Sequence, residues 1–137
     1  PTGMIYSKLE YTKIAEICRK HQVLVLSDEI YNELTFKPGS EYDTLYRYYP
    51  EGTFITNGIS KWAGAGGWRF GYLICPNNMR EVLLNIMKVA SQTYSCVSAP
   101  VQFGTVPLWE EVPEIGEYAR KTRKTLKIVA DSIVPVM

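Results

Sequence analysis

Two short stretches hold side chains that could act together on one ligand. In "SDEIY", residues 27 to 31, the carboxylate of Asp28 is followed by the phenol of Tyr31. In "SKWAGAGGWRFGY", residues 60 to 72, the hydroxyl of Ser60 and the amine of Lys61 precede the guanidinium of Arg69. A desolvated lysine loses its proton more readily and becomes a nucleophile towards an aldehyde. A guanidinium offers a planar fork of donors that suits phosphate. A carboxylate at the end of a buried strand is costly unless a cation meets it, and a protonated ring nitrogen is such a cation. Gly64, Gly66 and Gly67 would let the backbone bend so that Lys61 and Arg69 reach one ligand.

An acid for a pyridinium, a phenol for a ring oxygen, an amine for an aldehyde and a cation for a phosphate match pyridoxal 5′-phosphate, whose chemistry needs a lysine and an acidic partner. Taken singly, each residue has a plainer alternative. Asp28 could cap a loop or helix, Tyr31 could be a packed ring, and Lys61 and Arg69 could be surface charges. The glycines do not form G-x-G-x-x-G between a strand and a helix, so a dinucleotide loop is not indicated. Gly58 stands three residues before Lys61, so there is no S-x-x-K motif of a serine hydrolase.

The elements that would position these residues follow from periodicity. Residues 7 to 20 read as a helix, with Ser7 and Glu10 as a capping box and Tyr11, Ile14, Ile17 and Cys18 on one face. The apolar run 23 to 26 reads as a strand buried on both faces, ending at Ser27 with Asp28 just beyond its carboxyl end. Residues 36 to 52, punctuated by Pro38, Gly39, Pro50 and Gly52, read as a surface loop with at most a short helical turn. Strands are expected at 53 to 57 and 70 to 75, antiparallel to each other if adjacent, because no helical crossover separates them. A second helix, capped by Asn77 or Asn78, carries Val82, Leu83, Ile86, Met87 and Ala90 on its apolar face. The stretch from 97 is helical in part, with Pro107 ending or kinking it. A last helix from 113 to about 133 carries Ile115, Ala119, Leu126, Val129 and Ile133 as a stripe opposite a solvated basic face.

The fold class expected is α/β: a three-layer arrangement with a mostly parallel sheet flanked by helices and one antiparallel strand. A chain of 137 residues and net charge +1 can bury one core and carries no charge excess that would draw it to nucleic acid or an anionic membrane. No apolar run reaches the roughly 20 residues needed to cross a bilayer, and no signal peptide is evident. A single histidine, His21, and separated cysteines, Cys18, Cys75 and Cys96, supply no zinc ligand set, so no metal is expected. The cysteines read as small buried hydrophobes in a reducing, cytoplasmic compartment. Pro1 in place of an initiator methionine, and the apolar ending "IVADSIVPVM", read as the ends of a fragment.

The sequence resembles the fold-type I aminotransferases of class I and II. "PTG" at 1 to 3 is similar to that family's N-P-T-G, "SDEIY" to its D-E-x-Y, "SKWAGAGGWRFGY" to its S-K-x-x-x-x-x-G-x-R-x-G-Y, and "SAPVQ" at 98 to 102 to the stretch that follows. The resemblance implies that the chain is the central part of a large domain, with residues 1–112 in the cofactor-binding domain and 113–137 leading towards a small domain. It implies transfer of an amino group from an amino acid to a 2-oxo acid, in a homodimer. Lys61 would form the Schiff base and shuttle a proton, Asp28 would hold the pyridine nitrogen protonated, and Tyr31 would bond the ring oxygen. Arg69, with Ser60, would bind the phosphate.

Three departures from the pattern are evident. The asparagine before P-T-G is not in the chain, a serine common three before the lysine is Gly58, and both flanking portions of the family's fold are missing. The isolated chain is therefore expected to be weakly active or inactive. The same fold and lysine also serve β-lyases and ring-forming synthases, and a non-catalytic pyridoxal-phosphate-binding regulator is a further alternative.

Overall fold

A computed structural model describes residues 4–36, 43–110 and 112–134. The chain divides into two compact units, one of Pro1–Glu29, Asp43–Asn57 and Tyr72–Ser95, the other of Ile30–Tyr42, Gly58–Gly71 and Cys96–Met137. The P-T-G match and the Pro38–Gly39 turn expected from sequence lie outside the described residues.

In the first unit, helix α1 (Lys8–Lys20) starts at the expected capping box. The Ser7 hydroxyl accepts from the Glu10 N–H at 3.3 Å, and the Glu10 carboxylate accepts from the Ser7 N–H at 2.7 Å. The Ser7 N–H, and after it the Ser7 hydroxyl, both donating to the Glu10 carboxylate at 2.7 Å, hold that carboxyl below its usual range. Ala15 is buried with Leu45 and Tyr49, and Tyr11, Ile14, Cys18 and Val25 pack around them. Ile17 was expected on the same face and is exposed instead.

Strand β1 is Val25–Asp28, later than the 23–26 run suggests. The helix exit explains the shift. Gln22 takes a left-handed conformation (φ 53°) and the Val23 N–H returns to the Cys18 carbonyl at 2.9 Å. Val23 therefore completes the helix end, and sheet pairing begins at Val25. Asp28 is the last residue of the strand rather than the first beyond it. Nor is β1 buried on both faces: Val25 and Ser27 are half-buried, while Leu26 is 66% exposed.

Strand β2 (Thr53–Gly58) is the most buried of the three, and it pairs with β1 in parallel, from Val25 with Thr53 to Asp28 with Thr56. Strand β3 (Gly71–Ile74) lies on the other side of β2. The sheet is mixed, so β3 is the antiparallel strand expected from a link without a helix. The described part of the 36–52 segment is not all surface: a short 3-10 turn, Leu45–Arg47, buries Leu45 and is followed by buried Tyr49. Helix α2 (Arg80–Thr93) has no side-chain cap, since Asn77 and Asn78 belong to a preceding 3-10 turn, Asn77–Met79. Its Val82, Ile86 and Met87 are exposed.

The second unit is built on Ile59, Trp62 and Ala119, with Leu34, Phe70, Leu108 and Ile115 packed against them. Helix α3 (Ala99–Thr105) gives way to a 3-10 turn, Val106–Trp109, in which Pro107 occupies the first turn. Helix α4 (Pro113–Ile133) has the expected bounds. Its stripe is buried only at Ala119; Leu126, Val129 and Ile133 are exposed. On the basic face Arg123 is half-buried and donates to the Glu33 carbonyl at 3.1 Å. The three cysteines are free thiols, but Cys96 is exposed and the other two are only half-buried. No helix among the described residues is long and apolar enough to cross a membrane.

Candidate functional site

The segment after β2 folds back on itself. The Ile59 N–H donates to the Phe70 carbonyl at 3.4 Å, and the Ile59 carbonyl accepts from the Ala65 N–H at 3.3 Å. Further turns link Lys61 to Gly64 and Ala65 to Trp68. Ile59 has no exposed surface and Trp62 almost none, so these two side chains anchor the loop in the core. Lys61, one position from Trp62, is directed outward and exposed. Burying Ile59 alone stabilises the loop by about 2 kcal/mol.

Gly58 precedes this loop for a steric reason. A Cβ there would come 2.7 Å from the Phe70 carbonyl oxygen and 3.2 Å from the Gly71 Cα, both backbone atoms that cannot swing aside. The loss of a hydroxyl three residues before the lysine thus goes with a close backbone approach.

Lys61 and Tyr31 come together. The Lys61 Nζ lies over the Tyr31 ring, 5.4 Å from its centroid. A cation in that position is attracted by the ring quadrupole, worth about 0.5–1 kcal/mol at an exposed site. Both side chains are exposed, so the amine is not desolvated as the sequence suggested.

Arg69 is held by geometry that the sequence did not reveal. It adopts a left-handed conformation (φ 54°, ψ 42°) after a 3-10 turn, Gly66–Trp68. Of Gly64, Gly66 and Gly67, only Gly64 has a positive φ, at 63°. The chain thus places a bulky residue where glycine would be the cheap choice. The guanidinium donates to the Gly66 carbonyl at 2.7 Å, which fixes its reach from the loop. Ser60 is half-buried beside Lys61.

Asp28 stands in the first unit, at the carboxyl end of β1 and in register with Thr56. It shares the exposed strand face with Leu26. Its neighbour Glu29, which drew no attention in the sequence, is 7% exposed. The Glu29 Oε1 accepts from the Ser27 hydroxyl at 3.1 Å and from the Thr44 hydroxyl. The Thr44 hydroxyl in turn caps the Leu45–Arg47 turn by accepting from the Tyr46 N–H at 3.2 Å. The Asp-Thr pair at 43 and 44 was the available sequence signal, since such residues cap short helical turns.

Comparison with known proteins identifies the family of the chain. The family model "Aminotransferase class I and II" matches residues 1–137. An aspartate aminotransferase of Geobacillus stearothermophilus is 32% identical over 140 residues, covering 99% of this chain and 35% of that protein. An asparagine–oxo-acid transaminase of Streptococcus mutans is 35% identical over 109 residues, covering 77% of the chain and 27% of that protein. The structure of aspartate aminotransferase from Thermus thermophilus with maleate superposes with a TM-score of 0.89 at 27% identity, over 98% of this chain and 34% of that one. The chain belongs to the class I and II aminotransferase family. It spans about a third of the length of these full-coverage relatives.

Proposed function

We propose that the chain is the central, cofactor-binding part of a pyridoxal-phosphate-dependent aminotransferase, moving an amino group from an amino acid to a 2-oxo acid. The observation that carries this is the Lys61–Tyr31 pair, an amine over a phenol ring in segments that match the family. The donor set fits the cofactor: a carboxylate for a ring nitrogen, a phenol for a ring oxygen, an amine for an aldehyde, and a guanidinium with a hydroxyl for a phosphate. Bound pyridoxal phosphate would supply an electron sink for the bond broken at the substrate α-carbon.

The chain's own residues would do the rest. Asp28 would keep the ring nitrogen protonated through an opposite charge. Tyr31 would hydrogen-bond the ring oxygen and present its face to Lys61. The Lys61 amine would take a proton at Nζ from the substrate α-carbon and return it elsewhere. Arg69 and Ser60 would hold the phosphate. Residues 1–112 would belong to the large domain, and 113–137 would lead towards the small domain. The protein would act as a cytoplasmic homodimer.

Steady-state assay of the protein carrying this chain, with amino acids and 2-oxoglutarate, tests the proposal. Lys61→Ala should lower amino-group transfer by about 1,000-fold or more, the scale of a lost general acid–base group combined with a lost nucleophile. Turnover unchanged in Lys61→Ala would refute the role of the lysine. Elimination or ring closure without transfer to the 2-oxo acid would move the protein to a lyase or synthase.

A further inference from the structure

Asp28 is flanked by two residues that a single oxygen atom ties together. The Ser27 hydroxyl and the Thr44 hydroxyl both donate to the Glu29 Oε1. The Glu29 N–H is fixed to the Thr56 carbonyl of β2 at 2.9 Å. Strand alternation places Ser27 and Glu29 on one face of β1 and Asp28 on the other. The residues before and after Asp28 are thus pinned from behind, while its carboxylate faces away.

The far side of the clamp is also fixed. The Thr44 N–H donates to the Asp43 Oδ1 at 3.0 Å, and the Tyr48 hydroxyl donates to the Asp43 Oδ2 at 2.8 Å. Tyr48 stacks on Tyr11 of α1, with ring centroids 5.8 Å apart and planes 11° apart. A polar chain therefore runs from the end of β1 to α1 through the 43–48 segment. Burying a carboxylate for packing alone is unfavourable, and an apolar residue of similar volume would serve as well or better. A carboxylate receiving two hydroxyl donors instead fixes a geometry.

We propose that Glu29 is a positioning residue: its buried carboxylate locks Ser27 and Thr44 together and so sets the orientation of the strand end that carries Asp28. The inference rests on the cofactor role given to Asp28 above.

The test is a double-mutant cycle on the dissociation constant of pyridoxal phosphate from the protein carrying this chain, followed by absorbance, with a melting curve for each variant. Glu29→Ala should weaken binding about tenfold, the scale of a lost hydrogen-bonded charge. Glu29→Gln keeps the accepting oxygen and should stay within about threefold of the wild type, because both hydroxyl donors retain a partner. In an Asp28→Asn background, Glu29→Ala should add less than about twofold, because the two residues act in series. Multiplying effects, or a folded Glu29→Ala protein that binds like wild type, would overturn the proposal while leaving Asp28 as the ring-nitrogen partner. If Asp28→Asn itself binds normally, the role of Asp28 falls and the positioning role with it. Should Glu29→Ala fail to fold, Thr44→Val decides: it removes one donor and leaves the carboxylate, and normal binding by that variant overturns the clamp.

Discussion

The Nζ of Lys61 lies 5.4 Å from the centroid of the Tyr31 ring. The two residues are thirty positions apart in sequence, yet both belong to the second compact unit. The ring and the hydroxyl of Tyr31 can be separated by mutation. Tyr31→Phe keeps the face under the amine and removes the hydroxyl; it should leave the melting temperature unchanged and lower kcat by about tenfold, the value of one hydrogen bond to a charged group. Tyr31→Leu should additionally cost about 0.5–1 kcal/mol of stability in a denaturant titration. A Phe variant with wild-type kcat would show that the ring alone matters.

Three glycines of one loop region should respond differently to alanine. A Cβ at Gly58 meets the Phe70 carbonyl oxygen at 2.7 Å, so the backbone itself must move. The expected loss is about 1–3 kcal/mol, typical of overpacking. Gly64 combines φ 63° with the Tyr118 hydroxyl 2.7 Å from the new Cβ. The exposed tyrosine can swing away, leaving a backbone cost of about 1–2 kcal/mol. At Gly67 nothing lies within 4 Å, and alanine should be close to neutral. Denaturant midpoints for the three variants give the order directly.

Arg69 sets stability against function. Glycine at this position would relieve the left-handed conformation at φ 54° and should raise stability by about 1 kcal/mol. The same change removes the fork proposed for the phosphate and should weaken pyridoxal phosphate binding at least about tenfold. Equilibrium unfolding and a cofactor titration on the same variant measure both effects. Parallel changes in the two would contradict the assignment.

Two pH responses follow from local pairs. The Arg120 guanidinium, bonded to Glu117 at 2.7 Å on α4, holds that carboxyl at about 2, with Lys121 assisting. A depressed carboxyl contributes stability above its unfolded value of about 4.5 and loses it as pH falls towards 2. The gap in melting temperature between wild type and Glu117→Gln should therefore close over that window. Tyr11 and Tyr48 behave oppositely. Burial, then Glu29, pushes the Tyr11 phenol up, and the bond to Asp43 pushes Tyr48 up. Their contribution is complete below about pH 10 and is lost as pH rises through the elevated values. An ultraviolet titration should show tyrosines ionising after the exposed ones.

Much of this architecture was legible because it rests on local chemistry. The Ser7–Glu10 box and the Pro113 start of α4 are signals carried by a few adjacent residues, and both fall where expected. The antiparallel course of β3 followed from a link too irregular to cross over. The β1 boundary did not follow, because Val23 is claimed by a helix-exit bond that an apolar run cannot distinguish from strand pairing. Glu29 was missed for a related reason. A glutamate inside "SDEIY" looks like any solvated charge until Thr44, fifteen residues on, is folded against it. Arg69 was recognised by its chemical type, but its left-handed backbone is set by the preceding turn and leaves no mark in composition.

The central claim is that Lys61 is the residue that bonds the cofactor. The protein carrying this chain is mixed with pyridoxal phosphate, reduced with borohydride, digested and mapped by mass spectrometry. The pyridoxyl mass is expected on Lys61, and its yield should fall in Arg69→Gly. Recovery of the label on another lysine, with Lys61 unmodified in a folded protein, would contradict the account.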